Sequence, residues 1–232
     1  MIAKNHQWTS HGFIVIAALS VMLSFPVMSQ SEAQGPQEAI RVATDNIIEV
    51  VREAPSYYDS DPDRYFAAIG AQLDAIVDWR GFAKGVMGDY ASGNYFRSLD
   101  AEGQAKLRDQ LEAFTVVMRE GLIRTYSRGL LAFGGSEFRL LEEVENPGAR
   151  VQSLTQLVTG DDGSEYVLRY QMGQYRDGSW KLRNLIIENI NLGEIYRGQF
   201  AAAASEADGD LDSVIATWNV DDTESEAEED AN

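Results

Sequence analysis

The order of apolar and polar positions divides the chain into a helical first half, a stretch of strands and a helical end. From Pro36 onward, Ile40, Ala43, Ile47, Val50 and Val51 recur at the spacing of one helix face. Asp59-Ser60-Asp61-Pro62-Asp63 interrupts that run, with Pro62 suited to the first turn of a new helix. Tyr65, Phe66, Ile69, Leu73 and Val77 mark this second helix, Asp78-Trp79 closes it, and 82–90 reads as a third. Ser98 or Asp100 is placed to cap a long fourth helix. Its stripe, Leu107, Leu111, Phe114, Met118, Leu122 and Tyr126, advances by three or four residues throughout.

The period then falls to two. Segments 138–144, 151–159, 164–175 and 179–187 read as four strands. Gly160-Asp161-Asp162-Gly163 and Arg176-Asp177-Gly178 are turn sequences that separate the last three, which predicts that these form an antiparallel meander. Tyr166, Leu168, Tyr170 and Met172 alternate with polar neighbours, giving the sheet one apolar face. Helices over 193–205 and 210–218 follow. Helices, strands, then helices argue for an α+β fold, with several helices packed on one face of an antiparallel curved sheet of about four strands.

The two ends differ from this middle. Residues 12–28 are apolar except Ser20 and Ser24, after a region whose one cation is Lys4. Ser31-Glu32-Ala33 then offers a small-x-small site for cleavage before Gln34. Residues 1–33 are therefore expected to be a signal peptide, and the protein to be exported to the periplasm. No cysteine stands at the cut, which excludes a lipoprotein. Residues 34–220 are expected to form one domain, and the acidic segment 221–232 a disordered tail.

Cleavage changes the chemistry at hand. Both histidines, His6 and His11, leave with the leader, and the chain has no cysteine. What remains has no imidazole base, no thiol nucleophile, no His or Cys metal ligand and no disulfide. No metal and no cofactor are expected. The net charge of −18 is unchanged by the cut, because Lys4 and Glu32 cancel, and it argues against nucleic acid as a partner.

Several short motifs, in order, carry a resemblance. Trp180 to Phe200 reads WKLRNLIIENINLGEIYRGQF: a strand after an Asp-Gly turn, a polar bend at Glu188-Asn189-Ile190-Asn191, then a helix with Tyr196-Arg197-Gly198-Gln199-Phe200. Earlier come Asp78-Trp79, Gly88-Asp89-Tyr90, and Phe114 with Leu122-Ile123-Arg124-Thr125-Tyr126. Later comes Gly209-Asp210-Leu211-Asp212-Ser213-Val214-Ile215. Together these resemble the MlaC family of periplasmic phospholipid carriers, over about 37–218. Asn184 departs from a usual Asp and Asn189 from a usual Gly. Asn189 can take the left-handed backbone that the bend requires.

The resemblance implies a lipid shuttle without catalysis, an apolar cavity, and a phospholipid ligand. It implies exchange with an outer-membrane lipoprotein–porin complex and with an inner-membrane ABC transporter carrying a ring-forming lipid-binding subunit. A monomer that maintains outer-membrane asymmetry is expected. The candidate walls are Phe82, Val86, Met87, Phe114, Met118, Leu122 and Tyr126 from helices. The sheet is expected to add Leu168, Tyr170, Met172, Trp180, Leu182 and Ile186, with Tyr196 and Phe200 closing one end. Arg183 and Arg197 are candidate docking groups. Each of these side chains would serve equally as plain core or solvated charge.

Other readings stay open from sequence. An enzyme with an enclosed apolar pocket would use a carboxylate acid or base such as Asp78, Asp89 or Glu188. Asp208-Gly209-Asp210-Leu211-Asp212 mimics the start of a calcium loop, but Ser213 stands where the glycine is needed, and a helix cap is the better account. A carrier of another lipid, such as a hopanoid, would present the same apolar walls.

Overall fold

The structure, a computed structural model, describes residues 35–141 and 148–220. The expected leader and acidic tail lie outside the described residues.

Short polar side chains set where the helices begin. Helix α1 (Pro36–Glu53) opens on a proline, and α2 (Pro62–Ile76) is capped by Asp61, whose carboxylate accepts from the Arg64 N–H. Asp78 caps α3 (Trp79–Met87) and Ser92 caps a short α4 (Gly93–Ser98) that the periodicity does not reveal. Between the two offered caps of the long helix, Asp100 holds the Gly103 N–H at 2.8 Å and starts α5 (Ala101–Leu130). At 1.5 Å per residue α5 is about 45 Å long, enough to wall two different regions of the interior. The third helix ends at Met87 rather than Tyr90, because Gly88 turns to φ 55 and a 3-10 turn follows. Val77 lies outside α2 in extended backbone and bridges in parallel to Leu182.

The sheet is antiparallel throughout, in the order β1 (Glu137–Leu140), β2 (Val151–Thr159), β3 (Glu165–Gln174), β4 (Trp180–Ile187) and β5 (Ile190–Asn191). The meander is as the turns predicted, with a fifth strand of two residues. Residues 142–144 of the expected first strand lie outside the described residues. Alternate burial along β2 puts Leu154, Gln156 and Val158 on the helix-packed face. Between β3 and β4 the register jumps: Gln171 faces Asn184 but Met172 faces Leu182, so Arg183 is an unopposed bulge residue. Its guanidinium lies where a Cβ on Gly173 would stand, 3.7 Å from the Asp78 carboxylate and over the Tyr175 ring.

The bend after β4 takes its left-handed residue at Glu188 (φ 54), not at Asn189 as the sequence indicated. Glu188 is held there from both sides, its N–H donating to the Val167 carbonyl and its carboxylate accepting from the Val167 N–H. Asn184 then joins the sheet to helix α6 (Leu192–Glu206). It donates to Gln171 and to Asn191, and accepts from the Gly193 N–H at 3.0 Å. Asn191 caps α6, and Asp210, within the calcium-like run, caps α7 (Leu211–Thr217) by accepting from two backbone N–H groups.

Three groups of buried side chains fill the interior. The largest joins α3, α5, α6 and α7, where Phe114 sits 4.8 Å from Phe200 and 5.2 Å from Trp218 between ring centroids. A second, of Ile40, Ile76, Leu154, Met172 and Trp180, lies between α1, α2 and the sheet. A third packs Val51, Ala54, Tyr65 and Ile69 where α1 meets α2. One corner is tied by charge. Arg119 of α5 grips the Asp74 carboxylate of α2 at 2.6 and 2.7 Å, and the Trp79 indole N–H adds a third bond.

Candidate functional site

The interior is not filled where these groups meet. A cavity of about 350 Å³ lies between α1, the end of α2, the second half of α5 and the sheet, within the range of small-molecule pockets. Its walls come from the margins of all three groups: Ile40 and Ile76; Ile47, Leu73 and Leu130; Phe82, Leu122 and Leu192. Ile48 and Val158 are buried yet belong to none of the three, and the cavity is what they line.

Of the residues expected as walls, Phe82, Leu122, Tyr126, Leu168, Tyr170 and Leu182 border this cavity. The remainder are placed elsewhere, for three physical reasons. Val86, Met87, Phe114, Met118, Tyr196 and Phe200 belong to the filled group, where α3, α5, α6 and α7 pack on one another and Trp218 lies against Phe114 and Phe200. Trp180 and Met172 pack against Ile40 and Ile76 in the second group. Ile186 does not line the cavity although Leu182 does, because the bulge at Arg183 reverses the alternation and turns Leu185 and Ile187 inward instead.

Sequence reasoning missed most of the α1 wall as a wall. Ile40, Ala43 and Ile47 were visible as one helix face, but a face packed on side chains and a face on an empty space have the same period. Phe133, Phe138, Val158 and Tyr166 were also missed. An available signal went unread in Gln156, which like Gln152 is a polar residue on the inward face that Leu154 and Val158 share.

Polar side chains at the cavity are few. Gln156 accepts from the Tyr170 hydroxyl at 2.7 Å and donates to Thr44 Oγ1 at 3.3 Å. Burial pushes the Tyr170 phenol upward, so it stays protonated and serves as the donor. The Tyr126 and Tyr196 hydroxyls meet at 3.1 Å. Ser127 Oγ has no partner among the described residues. The carboxylates considered for catalysis do not gather here. Asp78 caps α3, Asp89 is exposed, Glu188 holds the β4 bend, and none of the three borders the cavity.

Fold and cavity together define an α+β protein that encloses an apolar space between a helical layer and an antiparallel sheet. The chain belongs to the MlaC family, whose description "MlaC protein" matches residues 41–220. It is 27% identical over 200 residues to the toluene tolerance protein ttg2D of Pseudomonas putida, covering 86% of each chain. Its fold is similar to that of a phospholipid-binding protein from Ralstonia solanacearum solved in complex with a phospholipid. That match has a TM-score of 0.67 and 17% identity, and covers 83% of this chain and 98% of the other.

Proposed function

We propose that the protein is a periplasmic phospholipid carrier that shuttles lipid between the outer and inner membranes and so maintains outer-membrane asymmetry. The observation that carries this reading is the cavity of about 350 Å³ with apolar walls from both helices and sheet. Family membership supports it, as does the phospholipid held by the Ralstonia solanacearum protein of the same fold.

The physics needs such a cavity. Each exposed methylene costs about 0.8 kcal/mol in water, so two long acyl chains would face a barrier on the order of 20 kcal/mol. A dry interior removes most of that barrier while the headgroup stays wet. Because the cavity is about as apolar as a bilayer, loading is nearly neutral in free energy and direction comes from docking. The docking partners of this reading are an outer-membrane lipoprotein–porin complex and an inner-membrane ABC transporter with its ring-forming lipid-binding subunit. The carrier acts as a monomer, without cofactor and without a catalytic step. Residues 1–33 direct export and are removed near Ala33, leaving the carrier domain at 34–220.

Transfer between vesicles tests this. Residues 34–232, added to donor vesicles holding fluorescent phospholipid and to unlabelled acceptors, should raise the transfer rate in proportion to protein concentration. A rate equal to that of the vesicles alone would refute the reading.

A further inference from the structure

The cavity wall leaves hydrogen-bonding capacity unused at two points. Ser127 on α5 is 1% exposed and borders the cavity, and its hydroxyl has no partner among the described residues. Gln156, 3% exposed, commits its carbonyl oxygen to Tyr170 but only one of its two amide hydrogens, to Thr44 Oγ1. Thr44 is the acceptor in that bond, so its own hydroxyl hydrogen is also unspent. Each of these residues borders the same apolar space, and each carries a donor hydrogen that the described residues leave unused.

A cavity that held hydrocarbon alone would gain nothing from such donors. A buried donor without an acceptor destabilises the protein, and neither the second amide hydrogen of Gln156 nor the Ser127 hydroxyl has one among the described residues. The donors therefore match an oxygen acceptor brought in by the ligand. That acceptor is neutral, because the one charged residue bordering the cavity among the described residues, Arg183, has its guanidinium engaged by Asp78 and the Tyr175 ring. An anionic phosphate would find no counter-charge beside Gln156.

We propose that Gln156 and Ser127 are specificity residues that donate hydrogen bonds to a neutral oxygen in the buried part of the bound lipid. The oxygen belongs either to an ester carbonyl or to a hydroxyl on an acyl chain. The proposal rests on the lipid-carrier reading and adds to it a chemical preference within the cavity.

Competition among three phospholipids of one headgroup and chain length tests it, using delipidated residues 34–232 and native mass spectrometry. The lipids are a diester, a dialkyl ether, and a dialkyl ether with a hydroxyl on one chain. The intact protein should favour one or both oxygenated lipids over the plain ether by roughly tenfold. Preference for the diester identifies the carbonyl as the source, and preference for the hydroxylated ether identifies the chain hydroxyl. In Gln156→Leu combined with Tyr170→Phe, which leaves no orphaned phenol at the cavity, that preference should fall to within about twofold. Ser127→Ala, which removes a single oxygen, should reduce it in the same direction. Equal binding of all three lipids, or a preference that survives both substitutions, overturns the subsite and leaves the carrier reading standing. Uptake of none of the three overturns both.

Discussion

Two alanines on helices separate an empty interior from a filled one. Ala43 on α1 borders the cavity, whereas Ala83 on α3 is fully buried in the group built around Phe114 and Phe200. Tryptophan at position 43 would project an indole into the space meant for a tail. It displaces about five methylenes, which at about 0.8 kcal/mol each removes about 4 kcal/mol of lipid affinity, on the order of a thousandfold. The lipid-free fold should lose under about 1 kcal/mol, because the ring enters space that side chains do not occupy. Ala83→Trp should do the reverse, overpacking a closed core at a cost of about 3 kcal/mol or more. Urea unfolding of both delipidated variants, followed by titration with a fluorescent phospholipid, reads both quantities. Equal destabilisation by the two substitutions would refute the reasoning, since it would mean that the cavity beside Ala43 is closed in solution. So would unaltered lipid binding by Ala43→Trp.

Further consequences follow from the packing and the polar ties. Phe114→Ala, in the filled group and remote from the cavity, should cost about 3–5 kcal/mol in urea unfolding, with phospholipid affinity per folded molecule unchanged. Asn184→Leu removes the bonds to Gln171, Asn191 and the Gly193 N–H, and should cost about 1–3 kcal/mol, read as a lowered denaturation midpoint. At Asp74, the hydrogen bonds from Arg119 and then Trp79 hold the carboxyl below its ordinary range against the opposing effect of burial. Its folded pKa is thus lower than its unfolded one, so its contribution is complete above about pH 4 and is lost as pH falls through the folded value. Asp74 is partly exposed, so the contribution is under about 1 kcal/mol, and Asp74→Asn should flatten the acid limb of a stability–pH curve while leaving neutral-pH slopes unchanged.

Element type and order were legible because each depends on local signals. Pro62 and Asp100 announce helix starts through backbone chemistry, whereas Asp78, read as closing the second helix, opens the third, and Gly178 and Gly163 (φ 87 and 82) mark turns that only such residues take easily. The site was legible only in part, because it depends on what lies across from a residue. The stripe of α5 is continuous in sequence, yet Phe114 and Met118 pack in the filled group, Phe114 against Trp218, while Leu122 and Tyr126 border the cavity. No period distinguishes these two halves. The inward side of β4 failed for a different reason. One unopposed residue, Arg183, moves the inward positions from Leu182 to Leu185 and Ile187, and a bulge leaves no mark in alternation until its partner strand is known. Gln156 carried a signal that went unread: a polar residue at an inward position between Leu154 and Val158.

The most direct test of the central claim is native mass spectrometry of residues 34–232, purified from a bacterial periplasm without detergent, with the bound lipid extracted and identified. The account predicts one diacyl phospholipid per chain, absent from Ala43→Trp purified in the same way. A protein that emerges empty and takes up no labelled phospholipid from vesicles would contradict it.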